Sequence, residues 1–386
     1  MSSSNPLNTA IDLEASAASA GARIAGTESQ WQLIRRRFRK HRLAVISLWI
    51  MAVFLFISIF AEFLAPHDPH DVQARFTYAP PQRVHLIDRN EDQGWSIRPY
   101  VYDYKVEVEP EALRRVFKID TENKVYLMFF VRGEPYKLLG LFPTDVHLFG
   151  AKKKRDPLFV LGTDRLGRDQ LSRLIYGTRI SLSVGLVGVV LSLVLGIVIG
   201  GLAGFYGGLF DSIVQRLIEF LRSLPSIPLW MGLAAAMPSS WSPLQTYFAI
   251  TIILSLIGWT ELARVVRGRF LSLKGEDYVS AALYDGASHL RVVVRHMVPA
   301  FTSHIITAAS LALPGMILAE TALSFLGLGL QAPVISWGVL LQEAQNIRTL
   351  ATAPWLLLPG LVIVISVLAM NFIGDGLRDA ADPYNH

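Results

Sequence analysis

The sequence predicts an all-α polytopic membrane protein with six transmembrane helices and one soluble insertion. Of its 386 residues, 52% are hydrophobic and only 17% are charged, which is far more apolar than a soluble domain of this size. Several apolar runs approach or exceed the roughly 20 residues that a helix needs to cross the hydrocarbon core. One long stretch after the first run has strand-like character instead, and it predicts a small α+β insertion outside the bilayer.

Composition and missing motifs exclude several classes of function. The net charge of +5 is modest, and Lys and Arg lie beside the apolar runs, which indicates membrane topology rather than nucleic-acid binding. The chain has no cysteine, so thiol catalysis, cysteine-based zinc sites and disulfides are excluded. It also contains neither His-Glu-x-x-His nor Gly-x-Ser-x-Gly, so a membrane metalloprotease or α/β-hydrolase has no support and we expect no catalytic residue.

The N-terminal part, residues 1–42, is predicted to be a cytoplasmic tail. Residues 1–30 are rich in Ser, Ala, Asn and Gly and lack apolar periodicity, which predicts a mobile segment. A basic cluster then precedes the apolar run 43–64. Because this run is too long and starts too late for a cleaved signal peptide, we predict a retained first span that enters the membrane from the cytoplasm.

Residues 65–156 form the predicted extracytoplasmic insertion, and about 90 residues can bury a modest core. Two strand-like runs, 124–132 and 136–142, are joined by Gly-Glu-Pro and predict a hairpin with its turn there. At the start of the insertion, His67-Asp-Pro-His-Asp71 contains metal-ligand residue types. Pro69 stiffens this segment and a bound ion needs further ligands, so we predict a turn and no metal site.

The remaining spans are predicted at about 180–205, 213–237, 244–266, 303–326 and 355–373. In the second span, glycines at four-residue intervals lie on one helix face, where another helix can approach closely. These are Gly196, Gly200 and Gly204. Prolines interrupt the third span (Pro225, Pro228) and the fifth (Pro314), where they predict kinks.

The distribution of charge predicts the orientation. Six spans with an internal N-terminus place both termini in the cytoplasm, with the 205–212 and 267–302 connections on the same side. The 267–302 connection holds five Lys and Arg residues, whereas 238–243 has none and 327–354 has only Arg348. This asymmetry fits the excess of Lys and Arg in cytoplasmic loops.

Residues 274–299 form a polar island between two apolar segments. Nearly every residue from Ser280 to Ser288 is small, which predicts a short helix over 276–285, a break at Gly286 and a second helix over 288–298. Acidic residues at 276 and 277 suit the N-terminus of the first helix. A small-faced helix suits the docking of a partner, and an ordinary amphipathic loop helix is the alternative.

The same residues resemble a known motif. Asp277-Tyr-Val-Ser-Ala-Ala-Leu-Tyr-Asp-Gly-Ala, with Pro299 following, is similar to the EAA loop of bacterial ATP-binding cassette (ABC) importer permeases. Three further segments resemble the dipeptide/oligopeptide/nickel branch of that family. They are 157–185, Ala322-Leu-Ser-Phe-Leu-Gly-Leu-Gly-Leu-Gln-Ala-Pro with Ser336-Trp-Gly, and Gly374-Asp-Gly-Leu-Arg-Asp-Ala-Ala-Asp-Pro383. The resemblance covers 157–383 and the first span, and leaves the tail and the insertion outside it.

The resemblance implies the type I ABC importer permease fold, with a core over 157–383 whose five spans flank a cytoplasmic coupling loop, 267–302. It implies coupling to an ATPase subunit through Asp277, Ser280, Ala281, Ala282, Asp285 and Gly286, with Ser280 standing where the family usually has Glu. The implied partners are a second homologous permease in a heterodimer, two ATP-binding subunits and an extracytoplasmic solute-binding protein. ATP and Mg would bind those ATPases, and no cofactor is expected on this chain.

The implied location is the bacterial inner membrane, within its lipid bilayer, and the implied substrates are peptides. Oligosaccharides such as α-galactosides, opines and nickel complexes are alternatives within the same class. A secondary transporter or channel is an alternative of another class, but we find no convincing internal repeat. A membrane enzyme is the third possibility, and the sequence offers it no nucleophile or metal site.

Three charged features remain to be assigned. The run Gly162 to Asp169 imitates a phosphate-binding loop, but Arg168 and Asp169 stand where Lys and Ser or Thr are needed, so we expect no nucleotide there. Glu320 lies at membrane depth and is a candidate for the transport path, with a structural hydrogen bond to a neighbouring helix as the alternative. Glu261 is predicted to pair locally with Arg264.

Overall fold

The computed structural model describes residues 30–90, 94–109, 114–152, 156–238 and 240–381. The predicted mobile tail up to residue 29 and the end of the chain from residue 382 lie outside these ranges. The described helices are α1 (Gln30–Lys40), α2 (Arg42–Ile59), α3 (Ala61–Leu64), α4 (Gln170–Tyr206), α5 (Gly208–Ser223), α6 (Ser226–Ala235), α7 (Pro243–Leu273), α8 (Asp277–Tyr284), α9 (His289–Val292), α10 (Val298–Ala300), α11 (Thr302–Phe325), α12 (Trp337–Gln342), α13 (Ile347–Thr352) and α14 (Leu358–Ala381).

Five of the described helical segments are long and apolar enough to cross a membrane. They are α2, α4, α7, α11 and Pro354–Ala381, which ends in α14. Two ends of the bundle can be distinguished. We call the end where α2 finishes and α4 begins the insertion end, and the end where α7 finishes and α11 begins the loop end.

The predicted third span over 213–237 is not one helix. The structure divides it into α5 and α6, with Leu224 extended between them (φ −84°, ψ 135°). Pro225 and Pro228 account for the break, because proline lacks a backbone N–H and disfavours helix at the preceding residue. The 16-residue α5 is amphipathic and α6 has 10 residues, so neither alone crosses a bilayer. The kink predicted at these prolines is therefore a complete break between two helices.

The centre of the bundle is the lengthwise contact between α4 and α7. A Cβ atom on Gly196 would lie 2.7 Å from the Cβ of Leu262, and one on Gly200 would lie 2.7 Å from the Cα of Ala263. Gly204 faces the last turns of α7 in the same way. The backbones approach so closely that only a residue without a side chain fits, as at small-residue interfaces in membranes.

The outer helices pack around this pair. The first helix in the membrane, α2, contacts α14 and α4, and α11 lies between α14 and α4. α11 continues through Pro314, whose side chain is buried. At the loop end, His41 Nε2 lies 3.9 Å from Asp379 Oδ2, so the start of α2 and the end of α14 lie together there.

The insertion contains two antiparallel sheets. One pairs β1 (Asp88–Asn90) with β2 (Gly94–Ser96), and the other has the order β3 (Tyr100–Glu109), β4 (Arg114–Leu138), β5 (Phe142–Ala151). Phe76, Tyr104 and Phe159 form one small core under the larger sheet. Between 65 and 156 the described residues form strands and one 3-10 turn but no α-helix, so the α part of the α+β prediction is wrong.

The predicted hairpin turn at Gly-Glu-Pro is also wrong. β4 continues through residues 133–135, and its pairing with β5 shifts register between Arg132 and Tyr136, which is a β-bulge. His147 on β5 occupies the space over this bulge, and its Nε2 lies 3.1 Å from the carbonyl oxygen of Glu134. The turn lies further on, at residues 139–141, where Gly140 has φ +74°.

A buried ion pair predicts how the insertion responds to acid. Lys124 Nζ and the Tyr126 hydroxyl donate hydrogen bonds to Asp88 at 2.7 and 2.9 Å, and these hold the pKa of Asp88 below its ordinary value. A lowered carboxyl pKa contributes stability above the unfolded-state pKa that is lost as pH falls through the folded-state pKa. We expect hydrogen-exchange protection of β4, corrected for intrinsic rates, to fall below about pH 4. Asp88→Asn should weaken this pH dependence and leave the part due to Asp120 on β4, whose pKa the hydrogen bond from Asn123 also lowers. An identical acid profile in that variant would contradict the assignment.

Candidate functional site

The loop between α7 and α11 carries the residues for which the sequence predicts coupling. Within it, α8 matches the helix predicted over 276–285 to within one residue at each end. The helix predicted over 288–298 is present as α9, a π-helical turn at Val293–Met297, and α10. The Ser288 hydroxyl caps α9 by accepting a hydrogen bond from the N–H of Arg291 at 3.4 Å.

Gly286 ends α8 in the left-handed conformation, with φ +78°. Its N–H donates to the carbonyl of Leu283 at 3.1 Å, and the N–H of Ala287 donates to the carbonyl of Ala282 at 3.0 Å. These two hydrogen bonds form a Schellman motif, in which glycine is favoured because other residues are strained at positive φ. A Cβ here would meet nothing within 4 Å among the described residues, so conformation rather than close approach requires the glycine.

One face of α8 anchors it to the bundle. Val279 is fully buried in an apolar cluster with residues from the ends of α4, α7 and α11. The cluster includes Phe205, Phe270, Val292, Met297 and Phe301. Just before α8, Lys274 Nζ donates to the carbonyl of Phe205 in the last turn of α4 at 2.9 Å. α8 therefore cannot move far without displacing the ends of three long helices.

The opposite face of α8 is open to solvent. Tyr284 is 91% exposed, and the half-buried Ser280 and Ala282 lie at the edges of this face. Residues 275–290 contain three carboxylates and no Lys or Arg, so the surface is acidic. The exposed residues are Asp277, Tyr278, Ala281, Tyr284, Asp285 and Gly286, and we call them the open face of α8.

A second contact at the loop end joins α5 to α7. Asp211 accepts two hydrogen bonds from Arg267, each at 2.5 Å, in a bidentate ion pair. Such paired hydrogen bonds fix relative orientation as well as distance. Sequence reasoning missed this pair, because Arg267 counted only as a topology charge. The signal in the sequence was Asp211, an isolated carboxylate in the 205–212 connection, which is predicted to lie on the same side as Arg267.

A cavity of about 1460 Å³ lies between α5, α6, α7 and α11, with α1 and α14 at its mouth. The mouth lies at the loop end, where Ala300 and Phe301 contribute to its lining. Basic side chains also line the cavity: Arg37, Arg222, Arg269 and Arg378. Glu261 lines it too, and its carboxylate lies 3.6 Å from Arg222 on α5, which corrects the predicted local pair with Arg264. The far wall is apolar, with Trp230, Leu254, Met316 and Ala319.

Glu320 is fully buried and does not line this cavity. Its Oε1 accepts hydrogen bonds from the hydroxyls of Ser324 (2.8 Å) and Ser336 (2.7 Å), and its Oε2 accepts one from Ser181 at 3.4 Å. Each serine oxygen in turn accepts a backbone N–H from the segment 330–339. The geometry favours the structural alternative, in which Glu320 organises the chain that follows α11.

The run that imitates a phosphate-binding loop joins segments at the insertion end. The Thr163 hydroxyl accepts a hydrogen bond from the N–H of Ala79 at 2.8 Å, and the Thr163 carbonyl accepts one from Trp355 Nε1 at 2.9 Å. Arg168 binds Asp164 at 2.6 Å and Glu343 at 3.2 Å. These contacts connect the chain after α2, the start of α4 and the segments on both sides of α13. We call this set of contacts the outer junction.

Two family models match the chain in separate blocks. Residues 196–384 match the family described as binding-protein-dependent transport system inner membrane component. Residues 29–81 match the N-terminal TM domain of oligopeptide transport permease C. The larger sheet of the insertion falls in the gap between the two blocks.

The individual relatives are named as permease proteins of peptide transport systems. The oligopeptide transport system permease protein OppC of Salmonella typhimurium is 43% identical over 243 residues, which cover 63% of this chain and 78% of that protein. OppC of Escherichia coli is 42% identical over 241 residues, 62% of this chain and 77% of that protein. The dipeptide transport system permease protein DppC of Bacillus subtilis is 39% identical over 224 residues, which cover 58% of this chain and 68% of that protein. With these similarities and its membrane-spanning helices, the chain belongs to the family of binding-protein-dependent transport system inner membrane components.

Proposed function

We propose that this chain is one of two permease subunits of an ATP-driven bacterial importer for peptides. The relatives named as oligopeptide and dipeptide permeases support peptides over oligosaccharides, opines or nickel complexes. The family description supports dependence on a solute-binding protein rather than a secondary transporter or channel. In this proposal two partner ATPases bind ATP and Mg, a second homologous permease completes a heterodimer, and this chain hydrolyses nothing.

The observation that carries the proposal is the two-sided character of α8. Val279 and the cluster around it fix one face to the ends of α4, α7 and α11, while the open face is acidic and carries the exposed Tyr284. A partner that receives this face would present basic residues in a groove, because opposite charges attract and steer association. Asp277, Ser280, Ala281, Ala282, Asp285 and Gly286 are then the coupling residues.

The mechanism is alternating access driven from the loop end. A push on α8 reaches the ends of the long helices that surround the cavity, through the buried cluster and the Asp211–Arg267 pair. A cavity with its mouth beside the coupling loop fits an inward-open state. Closure of the ATPases would move the loop, narrow this mouth and open the path to the solute-binding protein, and ATP hydrolysis would reset the arrangement.

The proposed topology has six crossings and cytoplasmic termini. α4 ends at the loop end, and α7 ends there as well after running its 31 residues from the opposite end. The chain between them therefore has to return to the insertion end. We assign that return to α5 and α6 together, as a crossing broken at Pro225. The loop end is then cytoplasmic, and the insertion lies outside.

A tryptophan at Ala281 tests the coupling role. Ala281 is exposed on α8, so Ala281→Trp is expected to leave the fold intact while blocking the close approach of a partner groove. We expect uptake of a labelled tripeptide to fall about tenfold or more, and we expect less of the ATPases to co-purify with the variant. Ala351→Trp is the matched control, because Ala351 is an exposed helical alanine at the insertion end. Normal uptake by Ala281→Trp would reject α8 as the coupling helix.

The substrate class needs a separate measurement. In vesicles that contain the complete importer, unlabelled peptides of two to five residues should compete with the labelled tripeptide. An α-galactoside or a nickel complex should not compete. Competition by the sugar alone would assign an oligosaccharide substrate instead of peptides, and it would leave the coupling role of α8 unaffected.

A further inference from the structure

The β4–β5 hairpin sits against the point where the chain leaves α2. The ring of Phe130 lies 6.3 Å from that of Phe63, four residues beyond the end of α2. His147 Nδ1 lies 2.8 Å from the carbonyl oxygen of Ala65. Since α2 is a membrane-crossing helix that ends at Ile59, the middle of the hairpin lies at the edge of the hydrocarbon layer.

Beyond this contact the hairpin approaches the bilayer-facing side of the bundle. The ring of Tyr136 on β4 lies 4.9 Å from the ring of His147, and the short helix α3, which carries Glu62, packs against β4 and β5. Glu62 binds Arg179 in the third turn of α4, at 2.5 and 2.6 Å, and Arg179 also donates to the carbonyl of Ser58 inside α2. The tip of the hairpin follows Tyr136 by only a few residues, so it lies close to the point where the chain leaves α2.

The side chains exposed along this part of the hairpin are large and apolar. Phe129 and Phe130 are 63% and 67% exposed, and at the tip Leu141 and Phe142 are 72% and 65% exposed. Residues 138–142 contain no charge, although a solvated hairpin end normally carries charged or polar residues. Clustered apolar surface of this kind marks a contact with another protein or with a membrane.

We propose that the apolar end of the β4–β5 hairpin, residues 128–130 and 139–142, is embedded in the membrane leaflet beside α2 and anchors the insertion there. Lipid rather than protein is the partner because Phe63 connects the patch with α2, which is long and apolar enough to cross the membrane and on which Phe56 and Ile59 are exposed. The exposed basic side chains of Arg132 and Lys137 lie between the two halves of the patch, and their charge suits lipid phosphates.

The absence of native cysteine makes a direct test possible. Leu141→Cys and Phe142→Cys variants of the full chain can each be labelled with one environment-sensitive fluorophore and placed in phosphatidylethanolamine–phosphatidylglycerol vesicles. Val108→Cys is the matched control, because Val108 is an exposed apolar strand residue between Glu107 and Glu109, next to the start of β4 and far from the tip. We expect blue-shifted emission at 141 and 142, and quenching by nitroxide-labelled lipid about threefold stronger than at 108.

Two results would overturn the proposal. The first is water-like emission with no lipid quenching at both tip positions in vesicles. The second is a blue shift that appears only when the solute-binding protein or the second permease is added, which would assign the patch to that protein. Because the measurement uses the chain alone in lipid, it remains informative even if the substrate assignment fails.

Discussion

Gly200→Leu is expected to prevent folding of the bundle, and it is the most damaging single change that we expect. A Cβ at this position would lie 2.7 Å from the Cα of Ala263 and closer still to its carbonyl oxygen. Both atoms belong to the backbone of α7, which cannot rotate aside as a side chain can. Overpacking costs about 1–3 kcal/mol where side chains adjust, so we expect on the order of 3 kcal/mol or more when two long helices must separate.

The measurement is the yield of monodisperse protein after detergent extraction, followed by its Tm. Gly268→Ala is the control, because Gly268 lies in the same helix pair and a Cβ there would meet nothing within 4 Å among the described residues. That substitution should be neutral or stabilise the helix by about 0.5–1 kcal/mol. A Gly200→Leu protein with an unchanged Tm would mean that α4 and α7 do not pack as described.

Glu320→Leu is expected to have the second largest effect. It would leave the hydroxyls of Ser181, Ser324 and Ser336 without their shared acceptor in a fully buried site. Each buried polar group left unpaired costs about 1–3 kcal/mol, so we expect a loss of about 3 kcal/mol or more, seen as a lower Tm. Proteolysis should then cut first within 327–342, because Glu320 organises that segment.

Glu320→Gln separates the two roles of this residue. The amide keeps an acceptor oxygen and nearly the same shape, so on the structural interpretation the Tm and tripeptide uptake should stay close to those of the unmodified chain. If Glu320→Gln keeps its Tm but loses uptake, the carboxylate acts in the transport path instead. A matched Thr321→Val variant, which changes the neighbouring buried hydroxyl, controls for general effects of substitution in α11.

Local signals predicted the helices of the loop between α7 and α11 well. Small residues, two acidic residues at 276 and 277, and Gly286 determine where α8 begins and ends, and all of them act within one or two helical turns. The third span shows the limit of such reasoning. Its apolar composition indicated one membrane span and its two prolines predicted a kink, but the structure has a full break there, between α5 and α6.

Long-range contacts could not be predicted in the same way. Glu320 and Ser181 are 139 positions apart, and nothing in either local sequence indicates that they meet. Glu261 had a basic neighbour one turn away on its own helix, yet its carboxylate lies near Arg222 because α5 packs beside α7. The Gly-Glu-Pro segment had the composition of a turn, but His147 from the partner strand fills the space over it and keeps β4 continuous.

The outer junction has a consequence for how this subunit can move. The contacts of Thr163 and Arg168 hold the chain after α2, the start of α4 and the chain before α14 together as one rigid unit. Helices joined at one end can splay apart only at the other. In the proposed heterodimer, any widening at the insertion end would then have to occur along the contact between the two permease subunits, leaving the junction itself unchanged through the transport cycle.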